Sequence, residues 1–347
     1  MNYLIIDSYH RLSLFLSYER FRKKNNNTFI TYSVSYYLLL LILGYKVIKI
    51  IPQKKSPKIT IGANEFIVEK NYFWNVEKIK KYKHCLNNLF KSCKSTANNF
   101  FVFNSNFGFS SILKNFLSFK TFYIEANNLN GKYYMSTKGT NSHIKIENLL
   151  KLDYINILCG KRINLNYFFK TFSKLFVLFN YIECRVCDRF VLINHDSWLT
   201  STFTKYYFCI ISKFLKPDIN VRKKNLLIIH QIENDTNLIC HYDGNFESFL
   251  KKIISHYHAK YNIFLKIHPK LKNFDPIIKY LRKYPINLHD KKNNLDFYHK
   301  FCTINSNFGL ELLSSGYNVR VYGKSCYEGF DQKKALTFIN FLKRNSF

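Results

Sequence analysis

The sequence predicts a two-domain protein of the alternating α/β class, and three observations predict it. Its 347 residues suffice for two cores of ordinary size. Short apolar runs with strand character alternate with helix-like stretches along the chain. A break at Lys216-Pro217-Asp218 and Arg222-Lys223-Lys224 then separates a long aromatic, mostly helical stretch, from about Leu149, from a second and cleaner alternation.

In the first half, strands are expected at Tyr3 to Ile6, Val47 to Ile51, Phe100 to Phe103 and Thr121 to Ile124. The apolar window Phe29 to Ile51 reads as helix, turn and strand, because Gly44 precedes Tyr45-Lys46-Val47-Ile48. Its uninterrupted core, Leu38 to Leu43, falls short of the ~20 residues of a membrane span. In the second half, the buried strand Asn225 to Ile229 leads to a helix from about Phe246 to His258. The strand Asn262 to Ile267, a helix near Pro276 to Lys283 and the short strand Ile286 to Leu288 come next. A helix Leu295 to Lys300, the strand Cys302 to Ile304 and the helix Phe308 to Ser315 follow. The strand Val319 to Tyr322 and a helix Lys333 to Arg344 complete the pattern, whose short strands between helices suit a doubly wound sheet.

Composition narrows the function classes. Hydrophobic residues at 47% and charged residues at 22% exclude global disorder. The formal charge of +31 favours polyanionic surroundings: an anionic membrane surface, an anionic glycan or nucleic acid. The joint excess of Lys, Asn, Ile, Phe and Tyr also fits a compositional bias that fills solvated positions with lysine. Basic runs such as Arg20 to Lys24 and Lys78 to Lys83 are short, and no nucleic-acid motif accompanies them, so nucleic acid is not an expected partner. Nine scattered cysteines form no disulfide framework, and Cys184 and Cys187 lack the second pair that a zinc site wants. Met1 to Ile6 lacks the charged start of a signal peptide. These features predict a cytoplasmic protein, with peripheral contact at the inner face of the inner membrane as its membrane option.

Three strand ends of the second half carry polar residues, where open α/β sheets bind ligands. The first is His230-Gln231, followed by Glu233 and Asp235-Thr236; the second is Lys266-Ile267-His268-Pro269; the third is Asn305-Ser306-Asn307-Phe308-Gly309, leading to Glu311. At the third, Ser306 or Asn307 caps a helix whose first N–H groups suit an anion, and Glu311 can accept both hydroxyls of a ribose. The same residues would equally serve as a helix cap and a favourable acidic residue near its start. Pro269 stops a strand and holds His268 at the sheet edge, where an imidazole can donate to a phosphate or ribose oxygen. The pentapeptide Asn305 to Gly309 repeats Asn104-Ser105-Asn106-Phe107-Gly108 of the first half.

Phe264 to Lys270 together with Thr303 to Glu311 resembles the bacterial capsular polysaccharide synthesis family, which includes Kdo transferases. The likeness extends to Gly316-Tyr317-Asn318-Val319, to Gly323-Lys324-Ser325-Cys326-Tyr327 and to Gln231 with Asp235. In the first half it rests on Phe122-Tyr123-Ile124-Glu125 and Gly139-Thr140-Asn141. Leu312 stands where the family usually has Ala, and Ser136 where an Asp often precedes Gly-x-Asn.

The resemblance implies two Rossmann-like domains facing a central cleft, the GT-B type. Residues 1–220 would be the acceptor-side domain with a helical connecting region, and 221–347 the nucleotide-sugar domain. It implies a glycosyltransferase that moves an acidic sugar, Kdo before sialic acid, from a CMP-sugar to a capsule or surface glycan or glycolipid acceptor. His268, Ser306, Asn307, Glu311, Lys266, Gln231 and Asp235 would hold the donor, and Glu125, with Asp7 as fallback, would be the catalytic carboxylate. No cofactor is implied beyond the CMP-sugar as substrate, and no metal, since one phosphate can be met by a helix start and a histidine, and no Asp-x-Asp occurs. Two other readings are a polyol-phosphate polymer transferase on the same frame and a non-enzymatic, basic protein that binds polyanions or membrane surfaces.

Overall fold

A computed structural model describes residues 1–6, 9–31, 33–50, 85, 87–89, 98–103, 120–127, 132–139, 145–163, 198–215, 217–232, 238, 241–269, 271, 273–290 and 293–347. The chain divides by packing into two units, Met1–Ile193 with Phe341–Phe347, and Asn194–Asn340. The first unit holds a sheet of β1 (Asn2–Ile6), β2 (Asn27–Thr31), β3 (Lys46–Lys49), β4 (Asn99–Phe103), β5 (Lys120–Asn127) and β6 (Lys132–Ser136). Their order is β3-β2-β1-β4-β5-β6, parallel except for β6, which runs antiparallel to β5. Its described helices are α1 (Tyr9–Leu16), α2 (Glu19–Arg22), α3 (Val34–Ile42) and α4 (Leu152–Cys159).

The second unit contains α5 (Trp198–Phe214), β7 (Lys224–Ile229), α6 (Phe246–Tyr257), β8 (Tyr261–Lys266), α7 (Asp275–Lys283), β9 (Ile286–Leu288), β10 (Lys300–Thr303), α8 (Asn307–Ser314) and β11 (Val319–Val321). The final helix, α9 (Gln332–Arg344), begins here and ends in the first unit. The sheet is wholly parallel, ordered β11-β10-β7-β8-β9. Both sheets thus carry the strand order of a Rossmann fold, with chain direction across the sheet reversing beside the first strand of each. The expected pair of Rossmann-like domains is present.

Burial explains why these segments are strands. Leu226 to Ile229 and Ile263 to Leu265 are buried throughout, as parallel strands covered on both faces must be. In α6, Phe246, Phe249, Leu250, Ile253 and Tyr257 form one buried stripe at helical spacing. Asn245 and Ser248 close its start with a reciprocal cap: the Ser248 N–H donates to the Asn245 side chain at 2.8 Å and the Asn245 N–H to Ser248 Oγ at 3.2 Å.

Asparagines zip the amino-terminal edge of each sheet. In the first, the Asn2 amide donates to Asn27 Oδ1 at 3.0 Å and the Asn99 amide to Asn2 Oδ1 at 3.1 Å, joining three adjacent strands. In the second, Asn262 Nδ2 donates to Asn225 Oδ1 at 3.1 Å and to the Asn220 carbonyl at 2.9 Å, and its Oδ1 accepts from the Asn220 N–H at 3.1 Å.

Packing divides the chain at other places than residue 220. Phe208 of α5 is buried in the second unit's core with Ile277, Ile278 and Leu281 of α7, so that helix sides with the strands that follow it. The last residues return to the first unit: Phe347 packs on Tyr18 and Tyr133, exchanges backbone bonds with Tyr133 at 2.8 and 3.1 Å, and Asn345 Oδ1 accepts from Leu152 N–H at 3.0 Å.

Three elements depart from the sequence reading. β2 and β6 are additional strands. The helix expected at Leu295 to Lys300 is instead a 3₁₀ turn, Leu295–Phe297, followed directly by β10. Tyr298 causes this: it is buried against Phe264 and Phe301, which a continued helix would not permit. Among the described residues no helix is long and apolar enough to cross a membrane.

Candidate functional site

The reversal point of the second sheet lies between β7 and β10, and three of its strand ends meet in sequence there: β8, β7 and β10. The turn after β10 is built by a set of specific contacts. The Ser306 N–H donates to Thr303 Oγ1 at 3.2 Å, and Ser306 Oγ caps α8 by accepting from the Phe308 N–H at 3.3 Å. The buried Tyr327 hydroxyl donates to the Ser306 carbonyl at 2.5 Å. Gly309 allows α8 to lie close to the strand, since a Cβ there would come within 2.8 Å of both Thr303 and the Tyr327 hydroxyl. A Cβ on Gly323 would likewise meet Ile304 at 2.6 Å. Gly309, Gly323 and Tyr327 therefore shape the turn by packing.

Gln231 and Asn305 form a closed lock between β7 and β10. Gln231 Nε2 donates to Asn305 Oδ1 at 2.7 Å, and the Asn305 N–H donates to Gln231 Oε1 at 2.9 Å. Asn305 Nδ2 reaches on to the Lys324 carbonyl at 3.2 Å. Both residues are buried, so the Gln231 amide is engaged in positioning the turn that carries Ser306.

His230 was not among the residues singled out as donor-binding, yet it is central to this edge. It is buried against the Phe246 ring, and its Nδ1 accepts a long bond, 3.4 Å, from the His268 N–H. Burial, with a smaller push from His268, drives its pKa from 6.5 down to about 3, so the ring is neutral. With Nδ1 accepting, the single proton sits on Nε2. A histidine directly after the apolar run Leu226 to Ile229 was the signal in the sequence.

Lys266 and His268 are half-buried at the end of β8. The Lys266 ammonium lies 4.8 Å from the Phe308 ring centroid, in the first turn of α8, and links the β8 end to the β10 end. Burial, then the Lys266 charge, also lowers the pKa of His289, whose Nδ1 sits 2.8 Å from the Tyr298 hydroxyl. The β8 end thus carries the Lys266 charge beside an uncharged His230.

Asn307 is exposed as the first residue of α8, and the exposed Glu311 follows one turn later on the same helix face. The structure therefore brings Gln231, Lys266, His268, Ser306, Asn307 and Glu311 to one edge of one sheet. Asp235, Glu233 and Thr236 lie outside the described residues, as do Asp7, Thr140, Asn141, the first copy of the repeated pentapeptide, Cys184 and Cys187. Glu125 is in the first unit. It is half-buried in β5, one residue beyond the last pairing with β4 and opposite Tyr134 of β6, near the carboxyl edge of that sheet. Ser136 ends β6, fully buried, and its hydroxyl accepts from the Lys138 N–H at 3.3 Å.

Residues 180–340, somewhat under half of the chain and including this whole edge, match the family model described as capsule polysaccharide biosynthesis protein. That stretch of the chain is similar to the capsule polysaccharide biosynthesis family. The match spans all of β7 to β11, so each strand end of this edge falls inside it. Curated proteins give no match. Solved structures share partial likeness, among them two of one protein. One is Thermosulfurimonas dismutans KpsC, beta Kdo 2,7 transferase, with 14% identity and a TM-score of 0.38 over 79% of this chain and 81% of that one. The other is the beta Kdo 2,4 transferase of the same KpsC, with 12% identity and a TM-score of 0.36 over 72% of this chain and 79% of that one.

Proposed function

We propose that the protein is a glycosyltransferase of capsule polysaccharide synthesis that uses a CMP-activated acidic sugar, Kdo first and sialic acid second. The observation that carries this reading is the Ser306-capped start of α8 at the reversal point of the sheet, flanked by Lys266 and His268. The Ser306 Oγ accepts from Phe308, which leaves its hydroxyl proton free to point outward. That proton, the Asn307 N–H and the helix dipole would meet the single phosphate of CMP, the dipole contributing ~0.3–1 kcal/mol. Lys266 and His268 would add charge and a donor from β8, and Glu311 would accept the ribose hydroxyls. Gln231 would act through Asn305 by fixing the turn, and Asp235 would complete the donor set.

Glu125 is our choice for the carboxylate that manages the acceptor proton or steadies an oxocarbenium-like centre. The acceptor would be a capsule or surface glycan, or a lipid-linked one, and in that case the enzyme works in peripheral contact with the anionic inner face of the inner membrane.

A nucleotide panel read by thermal shift tests the donor class. CMP should raise the melting temperature, and His268→Ala and Glu311→Ala should each weaken CMP binding about tenfold with little change in the unliganded protein. A rise with CDP-glycerol alone, or unchanged CMP affinity in both variants, would reject the assignment. Glu125→Gln should lower turnover of CMP-Kdo more than donor affinity; normal turnover would clear it of that role.

A further inference from the structure

The exposed arc of α5 carries an apolar stripe bordered by cations on both sides. Tyr206 is 70% exposed and Phe214 79%, with Ile210 between them at helical spacing, and Ile219 and Val221 lie uncovered just beyond the helix. The opposite face is accounted for, because Phe208 packs in the core against Phe274, and Ile211 joins the same cluster. Lys205 and Lys213 border the stripe on one side, both exposed.

On its other side Tyr207 opens onto α7. The Arg282 guanidinium donates to the Tyr207 hydroxyl at 3.1 Å, and the two residues line a shallow cavity of about 440 Å³ with Asp275, Ile278, Lys279 and Lys283. Glu247 pairs with Lys283 at 2.7 Å and Lys279 at 3.5 Å. Against Lys205, Lys213, Lys279, Arg282 and Lys283, the carboxylates on this face are Asp275, Glu247 and the exposed Asp218 beside Ile219, so the surface keeps an excess of positive charge. Tyrosine, isoleucine and phenylalanine flanked by long cationic side chains form the pattern of a helix that lies in a bilayer interface.

We propose that the α5–α7 face of the second unit docks on an anionic phospholipid surface, with Tyr206, Ile210 and Phe214 entering the headgroup boundary and Arg282, Lys279 and Lys283 meeting lipid phosphates. The charge complementarity selects a bilayer over a protein partner, because the cations frame the apolar stripe and do not interrupt it. A lipid anion has room in the open cavity beside Arg282. The proposal rests on the membrane-contact part of the preceding reading and uses none of the donor-site residues.

Vesicle co-sedimentation of the full chain tests it. Vesicles of phosphatidylglycerol and phosphatidylethanolamine should bind the protein, and pure phosphatidylcholine vesicles should not. The triple change Tyr206→Ser, Ile210→Ser and Phe214→Ser should lower binding by about tenfold or more, as loss of this much buried apolar surface implies. Lys279→Gln with Arg282→Gln and Lys283→Gln should lower it also and flatten its dependence on salt. The CMP thermal shift should be the same in both variants, so a failure here is distinct from a failure of the donor assignment. Phe214→Trp gives a readout that does not depend on a destabilising change: its emission, after subtraction of the wild-type signal from Trp74 and Trp198, should shift to the blue when anionic vesicles are added. Equal binding by the triple variant, an unshifted tryptophan, or a wild-type dimer that the triple change makes monomeric while vesicle binding persists would each overturn the proposal.

Discussion

The two ends of the second sheet are both polar, and they use polarity in opposite ways. At the amino end, Asn220, Asn225 and Asn262 spend their amide groups on one another and on nearby carbonyls, with Asn225 Nδ2 donating to the Phe297 carbonyl at 3.2 Å. At the carboxyl end, Gln231 and Asn305 are closed in the same way, but around them stand the partly exposed Lys266, His268 and Ser306 and the exposed Asn307 and Glu311. Closed amide networks fix a backbone; polar groups that reach solvent are what a ligand can use. Polar residues at a sheet edge thus mark a site only where part of the set is directed outward.

The largest test of this contrast is Asn262→Ala. It removes a buried amide that serves several partners and should cost about 3 kcal/mol of stability in urea unfolding. CMP affinity should stay unchanged, and a large loss of affinity would show that the amino edge also serves the site. The acid response comes next. His230 has a folded pKa of about 3 against an ordinary 6.5. Between those values the unfolded chain binds more protons, so stability rises with pH. The contribution is fully present above about pH 6.5 and is lost as pH falls toward 3, with a slope of up to ~1.4 kcal/mol per pH unit. Unfolding curves at pH 7 and pH 5 should therefore differ more in the wild type than in His230→Asn; equal differences would place the acid sensitivity elsewhere. The smallest expected effect is that of Tyr327→Phe. Loss of its bond to the Ser306 carbonyl should cost ~1 kcal/mol and weaken CMP binding modestly through the turn it holds.

The second sheet was legible in the sequence because parallel strands covered on both faces are written as unbroken apolar runs, as in Leu226 to Ile229 and Ile263 to Leu265. β2 was not, since Asn27, Thr28 and Thr31 are polar and yet buried, and Asn27 is satisfied partly by Asn2, which is 25 residues away in sequence. β6 was hidden as an edge strand of mixed character, Lys132-Tyr133-Tyr134-Met135-Ser136. At the candidate site, His268 and Ser306 could be read from the strand-stopping Pro269 and the helix-start pattern. The job of Gln231 could not, because its partner Asn305 lies 74 residues on and only the order of strands brings them side by side. The role of Gly309 could not be read either: its neighbours Thr303 and Tyr327 assign it to close packing, which only three-dimensional distances reveal.

The asparagine ladder of the first sheet has a consequence for how that sheet finds its alignment. Asn27, Asn2 and Asn99 stand level on β2, β1 and β4. Sliding one strand by a single residue would part these amides and turn the neighbouring side chains to the wrong face. Three small side chains thereby act as a ratchet mark, penalising each offset arrangement of an otherwise greasy and permissive set of strands.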